Sequence, residues 1–356
     1  MSLDTTLEAK RQIEICNACR YCEGYCSVFP AINIAESFDK SSVTFLANLC
    51  HNCRGCYYAC QFTPPHEFAI NLPGILAERR QESWHEFAWP RGFAQLFHRS
   101  GMAIALMVTV SAALIIWLIN LLPELEKAEG FYRLLSHQTM ILIFIPAFLL
   151  PIFALVKSTR KFWSSINGAP IKIAHIRTTL TSALTMKNLS GGHGEGCNFE
   201  DEDRFSMART HAHHAVLIGF TLCFLSTSVA TVLHYFFNSP APYDLFSLPK
   251  LFGIPGGILL SLGSAYLAYL KTKADPDLSD RKAWGGEMAF IVLLFLVSTS
   301  GLILYVLGGT DWLPELLAFH LGCVLALFLL TPYTKMVHGI YRVAALLRDT
   351  QMNIRT

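Results

Sequence analysis

The stretches CNACRYCEGYC (residues 16–26) and CHNCRGCYYAC (residues 50–60) share one cysteine pattern, C-x2-C-x2-C-x3-C. We call them the first frame and the second frame; together they hold eight of the eleven cysteines in the 356-residue chain. Residues 1–11 carry several charges and no apolar run of the kind found in signal peptides. We therefore expect the frames to lie in a reducing compartment, where clustered cysteines indicate metal ligands before disulfides.

The spacing within the frames is typical of thiolate ligands to [4Fe–4S] clusters. In two-cluster proteins the fourth cysteine of each run binds the other cluster. The pattern therefore predicts cluster A on Cys16, Cys19, Cys22 and Cys60, and cluster B on Cys50, Cys53, Cys56 and Cys26. Two zinc sites are the alternative, but zinc ribbons use two C-x2-C pairs set far apart. A disulfide scaffold fits a cytoplasmic domain less well still.

The segment between the frames, SFDKSSVTFLANLC (residues 37–50), predicts a helix capped by Ser or Asp before an apolar run. Ser27 and Gln61 stand where the bacterial ferredoxin run has a proline after its fourth cysteine. The module resembles α-helical ferredoxins, namely the C-terminal part of succinate dehydrogenase iron–sulfur subunits and the heterodisulfide-reductase small subunits. We predict an all-α, twin-cluster cytoplasmic domain of this type over residues 1–98.

The composition of the chain indicates a membrane protein. Hydrophobic residues make up 53% and charged residues only 15%, which excludes a disordered chain, a coiled coil and an ordinary soluble enzyme. The net charge of +2 gives no basic excess for binding nucleic acid. A bilayer core takes roughly 20 apolar residues, and six stretches qualify, which makes buried core helices of a soluble protein the weaker interpretation. They lie near residues 102–122, 137–156, 215–237, 254–270, 287–308 and 314–333.

We therefore predict a six-helix transmembrane bundle resembling cytochrome b over residues 99–356, with a cytoplasmic insertion at 157–210. Lys and Arg concentrate before the first span, in that insertion, in the loop 271–283 and after the last span. A six-span topology places all four segments on one side, and cytoplasmic loops are enriched in Lys and Arg. We expect both termini in the cytoplasm and the chain in a bacterial inner membrane. The spans carry almost no acids or lysines, which argues against a transporter or pump.

The insertion contains two features of interest. Ile173, Ile176, Leu180 and Leu184 fall on one helical face, which predicts an amphipathic helix at the membrane surface. The stretch GGHGEGCNFEDED (residues 191–203) predicts a glycine-rich loop. Its His193 and Cys197 could form half of a metal site, belong to a flexible turn, or lie in a loop that docks near the cysteine domain.

Histidines mark both ends of the third and sixth predicted spans. His213 and His214 begin the third span and His234 ends it, while His320 begins the sixth and His338 follows it. The topology therefore places His213 or His214 beside His338 on the cytoplasmic side, and His234 beside His320 on the far side. Paired imidazoles on facing helices fit the axial ligands of one or two haems b.

The alternative is that these histidines lie at the membrane surface without binding a metal. Four histidines matched in depth on two helices favour haem. His98, His137 and His175 have no such match, and we expect them to be structural.

At this point the chain resembles the CitB / tricarballylate-utilisation protein B family over nearly its whole length. The resemblance is carried by the two frames, GGHGEGCNFEDED, the HH at 213–214, LHYFFNSPAPYDLFSLP (residues 233–249) and PYTKMVHGIYRVAALLR (residues 332–348). It implies an electron-transfer subunit that reoxidises a cytoplasmic FAD-dependent dehydrogenase of a tricarboxylic acid such as tricarballylate. Electrons would pass through the clusters and haem b to the quinone pool. The membrane part is also similar to the cytochrome b subunit of respiratory nitrate reductase.

Two other functions compete with this one. Electrons could flow in the opposite direction. The protein would then oxidise quinol and supply electrons to a cytoplasmic reductase, as in nitrate-reductase gamma or heterodisulfide-reductase-like systems. The cysteines and histidines could instead bind metal without redox chemistry. No residue is predicted to act as general acid or nucleophile, because cofactors carry the chemistry. Glu287, Arg177 or His214 could line a quinone site.

Overall fold

The computed structural model describes residues 4–122, 130–189, 194–199 and 204–353. Over these residues the chain is all-α, as the sequence predicts, with no sheet and one isolated bridge between Cys197 and Ser206. The fourteen α-helices, in chain order α1 to α14, are Thr5–Cys19, Val28–Ile34, Lys40–Leu49, Gly55–Tyr58, Leu72–Phe87, Arg91–Arg99, Gly101–Leu121, His137–Ser165, Ile173–Leu184, Ala208–Phe237, Leu248–Lys273, Trp284–Leu307, Leu313–Leu330 and Val337–Asn353.

Polar caps fix the starts of the helices that carry the cysteine frames. Asp4 caps α1, and Asn71 accepts from the backbone N–H of Gly74 at the start of α5. Helix α3 is the helix expected between the frames, and the Asp39 carboxylate caps it by accepting from the Ser42 N–H at 2.8 Å. Each cap satisfies an N–H that the first helical turn leaves without an acceptor. The first frame therefore begins on α1, and the second frame begins at Cys50, directly after α3.

The hydrophobic core around the frames includes parts of the chain far beyond residue 98. Ile13 of α1 and Leu46 of α3 lie in one buried cluster with Phe162 of α8 and Tyr341 of α14. The Phe162 and Tyr341 rings are 4.9 Å apart between centroids. The cysteine helices therefore complete their core with the end of a membrane helix and with the C-terminal helix.

Six helices are long and apolar enough to cross a membrane, namely α7, α8, α10, α11, α12 and α13. Several extend beyond the apolar stretches recognised in the sequence. Helix α10 begins at Ala208 and ends at Phe237, and α11 covers Leu248–Lys273. The added turns carry charged or polar residues at the helix ends, such as Arg209 and Lys271. The chain is a multi-pass membrane protein by this criterion.

Glycine permits the tight contact between α10 and α11. A Cβ on Gly219 of α10 would lie 2.5 Å from the backbone N of Leu260 on α11. On α11, a Cβ on Gly263 would lie 2.9 Å from the backbone N of Val216. Small residues let helix backbones approach closely where lipid provides no hydrophobic driving force between helices.

Hydrogen bonds place the four basic segments on one side of the bundle. Asn52 of the second frame donates to the Leu278 carbonyl at 2.8 Å, which joins the cysteine domain to the loop between α11 and α12. Ser27 donates to Asn188 of the insertion at 2.8 Å. Gln351 of α14 donates to the Ala169 carbonyl of the insertion at 3.0 Å.

Helix α9 of the insertion leaves its apolar face uncovered. The side chains predicted to share that face are all exposed, from 41% for Ile176 to 86% for Ile173. On the opposite side Thr179 is buried, with its hydroxyl 3.3 Å from that of Thr350 on α14. This is the arrangement expected of a helix at a membrane surface.

The α10–α11 contact gives a prediction about stability. Gly219→Ala should destabilise the protein by roughly 1–3 kcal/mol, because the new methyl group meets backbone atoms that cannot rotate away. The matched control is Gly92→Ala, since a Cβ on this glycine of α6 meets nothing within 4 Å. Thermal unfolding in detergent micelles measures both, and equal midpoints for the two variants would contradict the close contact.

Candidate functional site

The first frame surrounds a cavity together with the end of the second frame. Cys16 and Cys19 lie on the last turn of α1, and Cys22 follows in the next loop. Cys60 comes from the second frame, directly after α4. All four line a cavity of about 320 Å³, as does Cys56 of the second frame, and the walls include Ile15, Phe29, Ile70 and Leu72.

Cys16 and Cys22 lie close to the other thiols around this cavity. Burial, together with the neighbouring Cys22, Cys60 and Cys19 thiols, raises the pKa of Cys16 to about 12. Burial, Cys60 and Cys19 likewise raise the pKa of Cys22 to about 12. We call Cys16, Cys19, Cys22 and Cys60 the first thiol group. Such thiols stay protonated unless a cation binds them, and metal binding supplies that cation.

A second thiol group consists of Cys26, Cys50, Cys53 and Cys56. Burial raises the pKa of Cys26 well above its usual value, and the next largest causes are Cys53 and Cys50 of the second frame. The pKa of Cys56 is raised well above its usual value by burial, then by Cys53 and Cys26. Cys60 thus lies beside cysteines of the first frame and Cys26 beside cysteines of the second, while Cys22 and Cys56 lie where the two groups meet. Cys22 also acts on Cys56, so the two groups are neighbours.

Both groups fit polynuclear clusters better than single ions. Within the described part of the chain, no three His, Cys, Asp or Glu side chains converge on a point that could hold one metal ion. Each thiolate ligand of a [4Fe–4S] cluster binds its own iron, so the four sulfur atoms stand around a cavity. The thiols of Cys16, Cys19, Cys22 and Cys60 around one cavity match that requirement.

A third element covers the second thiol group. The backbone N–H of Asn198 donates to the Cys53 carbonyl at 2.9 Å, and the Phe199 carbonyl accepts from Arg54 at 3.2 Å. Cys197 is fully buried and close enough to Cys53 to raise its pKa. Of the three interpretations of the glycine-rich stretch, residues 194–199 fit the docking loop; His193 lies outside the described residues.

On the side of the bundle that carries the cysteine domain, His213 of α10 faces His338 of α14. Their ring centroids are 5.8 Å apart with the planes nearly perpendicular. A metal about 2 Å from one nitrogen of each ring separates the ring centres by about 6 Å. His338 donates its Nδ1–H to the Lys335 carbonyl, which leaves Nε2 as the ligand atom. We call His213 and His338 the histidine pair.

His214 points elsewhere. Its Nε2 donates to the Leu184 carbonyl at the end of α9, at 3.0 Å. The buried Nδ1 of His213, in contrast, has no hydrogen-bond partner among the described residues. The geometry thus distinguishes two adjacent histidines that the sequence left as alternative ligands.

At the opposite end of the bundle the arrangement differs from the expected one. The His234 ring stacks on His137 at 4.0 Å between centroids, and His137 Nε2 lies 2.8 Å from the Tyr235 hydroxyl. His320 lies against α12, with its Nδ1 3.0 Å from the Ser300 hydroxyl. None of the ring contacts among the described residues joins His234 to His320.

Sequence reasoning left His137 as structural and so missed this contact. The signal was present, because His137 begins a span on the same side as the end of the third. His98 and His175, the other two histidines left as structural, are buried at 2% and 8% exposure. His98 packs beside Trp84, and His175 belongs to the capping box of α9.

Three arginines connect the second frame to the rest of the molecule. Arg80 of α5 and Arg342 of α14 each donate to the Cys50 carbonyl at 2.9 Å. Arg209 of α10 donates to the Asn52 carbonyl at 2.7 Å. We call these three residues the arginine cluster. None was a candidate from the sequence, since no local pattern distinguishes these arginines from the others in the chain.

Glu287, a candidate for a quinone site, has ionic partners instead. Its carboxylate accepts from Lys271 at 2.6 Å and from Lys335 at 2.8 Å. Its other oxygen accepts from Gln81 of α5 at 3.0 Å. This cluster joins α5 to α11 and α12 and extends the contact between the cysteine domain and the bundle.

Fold and site together define a class: a helical, ferredoxin-like cysteine domain joined to a six-helix membrane bundle. Family models give the same division, with "Citrate utilization protein B Fer4-like domain" over residues 9–86 and "Citrate utilization protein B" over residues 95–355. The chain belongs to the citrate utilization protein B (CitB) family. It is 42% identical to Citrate utilization protein B of Escherichia coli over 345 residues, 96% of this chain and 91% of that protein. No solved structure matches it.

The grouping of the thiols gives a prediction for Cys53→Ser. The variant should lose about half of the bound iron and acid-labile sulfide, because it would remove a ligand from one of the two clusters that the cysteine spacing predicts. Iron and sulfide analysis of anaerobically purified protein measures this. Cys323→Ser is the control, since Cys323 lies on α13 outside both thiol groups. A normal iron content in Cys53→Ser would contradict the grouping.

Proposed function

We propose that this protein is the membrane electron-transfer subunit that reoxidises a cytoplasmic FAD-dependent dehydrogenase of a tricarboxylic acid such as tricarballylate, and that it delivers the electrons to quinone. Two [4Fe–4S] clusters and haem b, when bound, supply the one-electron chemistry. Each reduced flavin yields two electrons and two protons, and each quinone takes up two of each to become quinol. The residues of the chain hold these groups in order between water and lipid.

The observation that carries the proposal is the order of the sites. Cys19 of the first thiol group is exposed, and Tyr21 beside it is 69% exposed. Cys53 of the second thiol group is buried, and the arginine cluster joins the second frame to the helices of the histidine pair. This order supports entry of electrons at the first thiol group and their exit into the bundle.

The ligands follow from the geometry of each site. Cluster A would be held by the first thiol group and cluster B by the second. We assign His213 and His338 as ligands of a haem b near the cysteine domain, since His214 donates its Nε2 proton to a carbonyl. For a second haem b on the far side we keep His234 and His320, with His137 stacked on His234 as a further ligand candidate.

The partner and the membrane are inferred from charge and from similarity. The relative from Escherichia coli is named for citrate utilization, which supports a tricarboxylic acid as the substrate of the partner dehydrogenase. The four basic segments contact one another on one side of the bundle, and the enrichment of Lys and Arg in cytoplasmic loops assigns that side to the cytoplasm. Both termini would then be cytoplasmic, in a bacterial inner membrane.

Spectroscopy of the purified protein tests the proposal. We expect b-type absorbance bands, a pyridine haemochrome and about eight iron atoms per chain in clusters. Reduced flavoprotein should reduce the haem, and a quinone analogue should reoxidise it. Protein that is colourless and free of iron after anaerobic purification would refute the function.

The two neighbouring histidines on α10 provide a sharper test of the haem site. His213→Ala should lose the haem near the cysteine domain, measured as a lower haem-to-protein ratio, because one of two axial ligands is gone. His214→Ala, one residue further along the helix, is the matched control and should keep the full ratio. The opposite result, with haem lost only in His214→Ala, would reverse the assignment.

A further inference from the structure

Two members of the arginine cluster share helix faces with the histidine pair. Arg209 precedes His213 by four residues on α10, and Arg342 follows His338 by four residues on α14. Residues four apart lie one above the other on the same helix face. Each helix therefore presents a histidine and, about 6 Å along its axis, an arginine that holds the second frame.

The hydrogen bonds of these arginines fix the distance between two sites. Arg342 donates to the Cys50 carbonyl at 2.9 Å, and Arg209 donates to the Asn52 carbonyl at 2.7 Å. Hydrogen bonds from a charged donor are about twice as strong as neutral ones. The main chain of the second frame is thereby held next to the two helix ends that carry His213 and His338.

Among the described residues, no carboxylate pairs with the positive charges at this junction. No carboxylate among the described residues forms a salt bridge with Arg80, Arg209 or Arg342, and the buried Nε of Arg342 has no hydrogen-bond partner there. Arg80 and Arg209 also lie close enough to Arg342 for their charges to repel it. Grouped cations without counterions are costly to bury, so this junction suits a group that carries negative charge.

The charges of Arg209 and Arg342 face the histidine pair, whereas the charge of Arg80 is not among those that face it. The charges that face His213 are Arg209, Arg342 and Lys335, and those that face His338 are Arg342 and Lys335. Lys335 is already paired with Glu287 at 2.8 Å. Arg80 binds the same Cys50 carbonyl as Arg342 but comes from α5 of the cysteine domain.

We propose that Arg209 and Arg342 form a bridge between cluster B on the second thiol group and the haem on the histidine pair, holding the two sites together and stabilising an added electron on either. This inference rests on the proposed function. In each step one electron leaves the second thiol group's site, which is oxidised, and reaches the histidine pair's site, which is reduced. No bond forms or breaks, and both arginines keep their charge.

Redox titration of the full-length holoprotein in detergent tests the bridge. Haem potentials are read from b-type absorbance and cluster potentials from electron paramagnetic resonance. Arg342→Gln should lower the midpoint potentials of both sites. The equilibrium constant for reducing the haem should fall roughly tenfold, which corresponds to about 59 mV for one electron. Arg342→Lys keeps the charge and should stay near the wild-type potential, which a merely structural role would not predict.

Two further variants keep the test decisive. Arg209→Gln should also lower the haem potential. If Arg342→Gln does not fold, Arg209→Gln provides the test of the bridge. Arg80→Gln is the matched control; it removes a donor from the same carbonyl and should lower only the cluster potential. Normal spectra with an unchanged haem potential in Arg209→Gln and Arg342→Gln would overturn the bridge alone. A wild-type protein without b-type absorbance would overturn the proposed function and the bridge with it.

Discussion

The carbonyl of Cys50 accepts hydrogen bonds from two guanidinium groups, and the arrangement of both sites depends on this contact. Arg80 reaches it from within the cysteine domain and Arg342 from the C-terminal helix, while Arg209 of α10 holds the next turn of chain at Asn52. Arginine suits this task because it stays charged at every relevant pH and offers five donors. The contact therefore ties the second frame to the two helices that carry His213 and His338.

The buried thiols impose a second constraint on the fold. Eight cysteines lie in a small helical domain, and burial raises the pKa of several of these thiols far above neutrality. Binding of iron would offset the free-energy cost of burying these thiols and would stabilise the folded domain, because the ligands are deprotonated only in the bound state. The domain also takes core residues from α8 and α14, such as Phe162 and Tyr341. Its stability is thus shared with the membrane bundle.

Features that depend on local spacing could be predicted from the sequence. The all-α fold, the α3 helix and six apolar helices follow from periodicity and composition. Cysteine spacing also predicts that Cys26 and Cys60 each bind the cluster of the other frame, and this stays a prediction. Features that depend on distant contacts could not be predicted. Arg342 and Cys50 are 292 residues apart, and no periodic pattern relates them. Topology predicted that either His213 or His214 lies beside His338; the ring contact of His213 with His338 and the hydrogen bond of His214 to the Leu184 carbonyl, both distant in sequence, distinguish them.

The two histidine sites differ in how rigidly they are built, and this follows from what surrounds α10. Helix α10 packs on α11 through glycines, and only 6% of the residues in its most apolar stretch are buried. The end of α10 that carries Arg209 is held by the second frame and the docking loop. This contact fixes the distance between His213 and His338. Its opposite end has no comparable anchor among the described contacts, and His234 packs on His137 and Tyr235 instead. The cysteine domain therefore does more than carry thiols: by holding one end of α10 and of α14, it positions the ligands of the nearest membrane site.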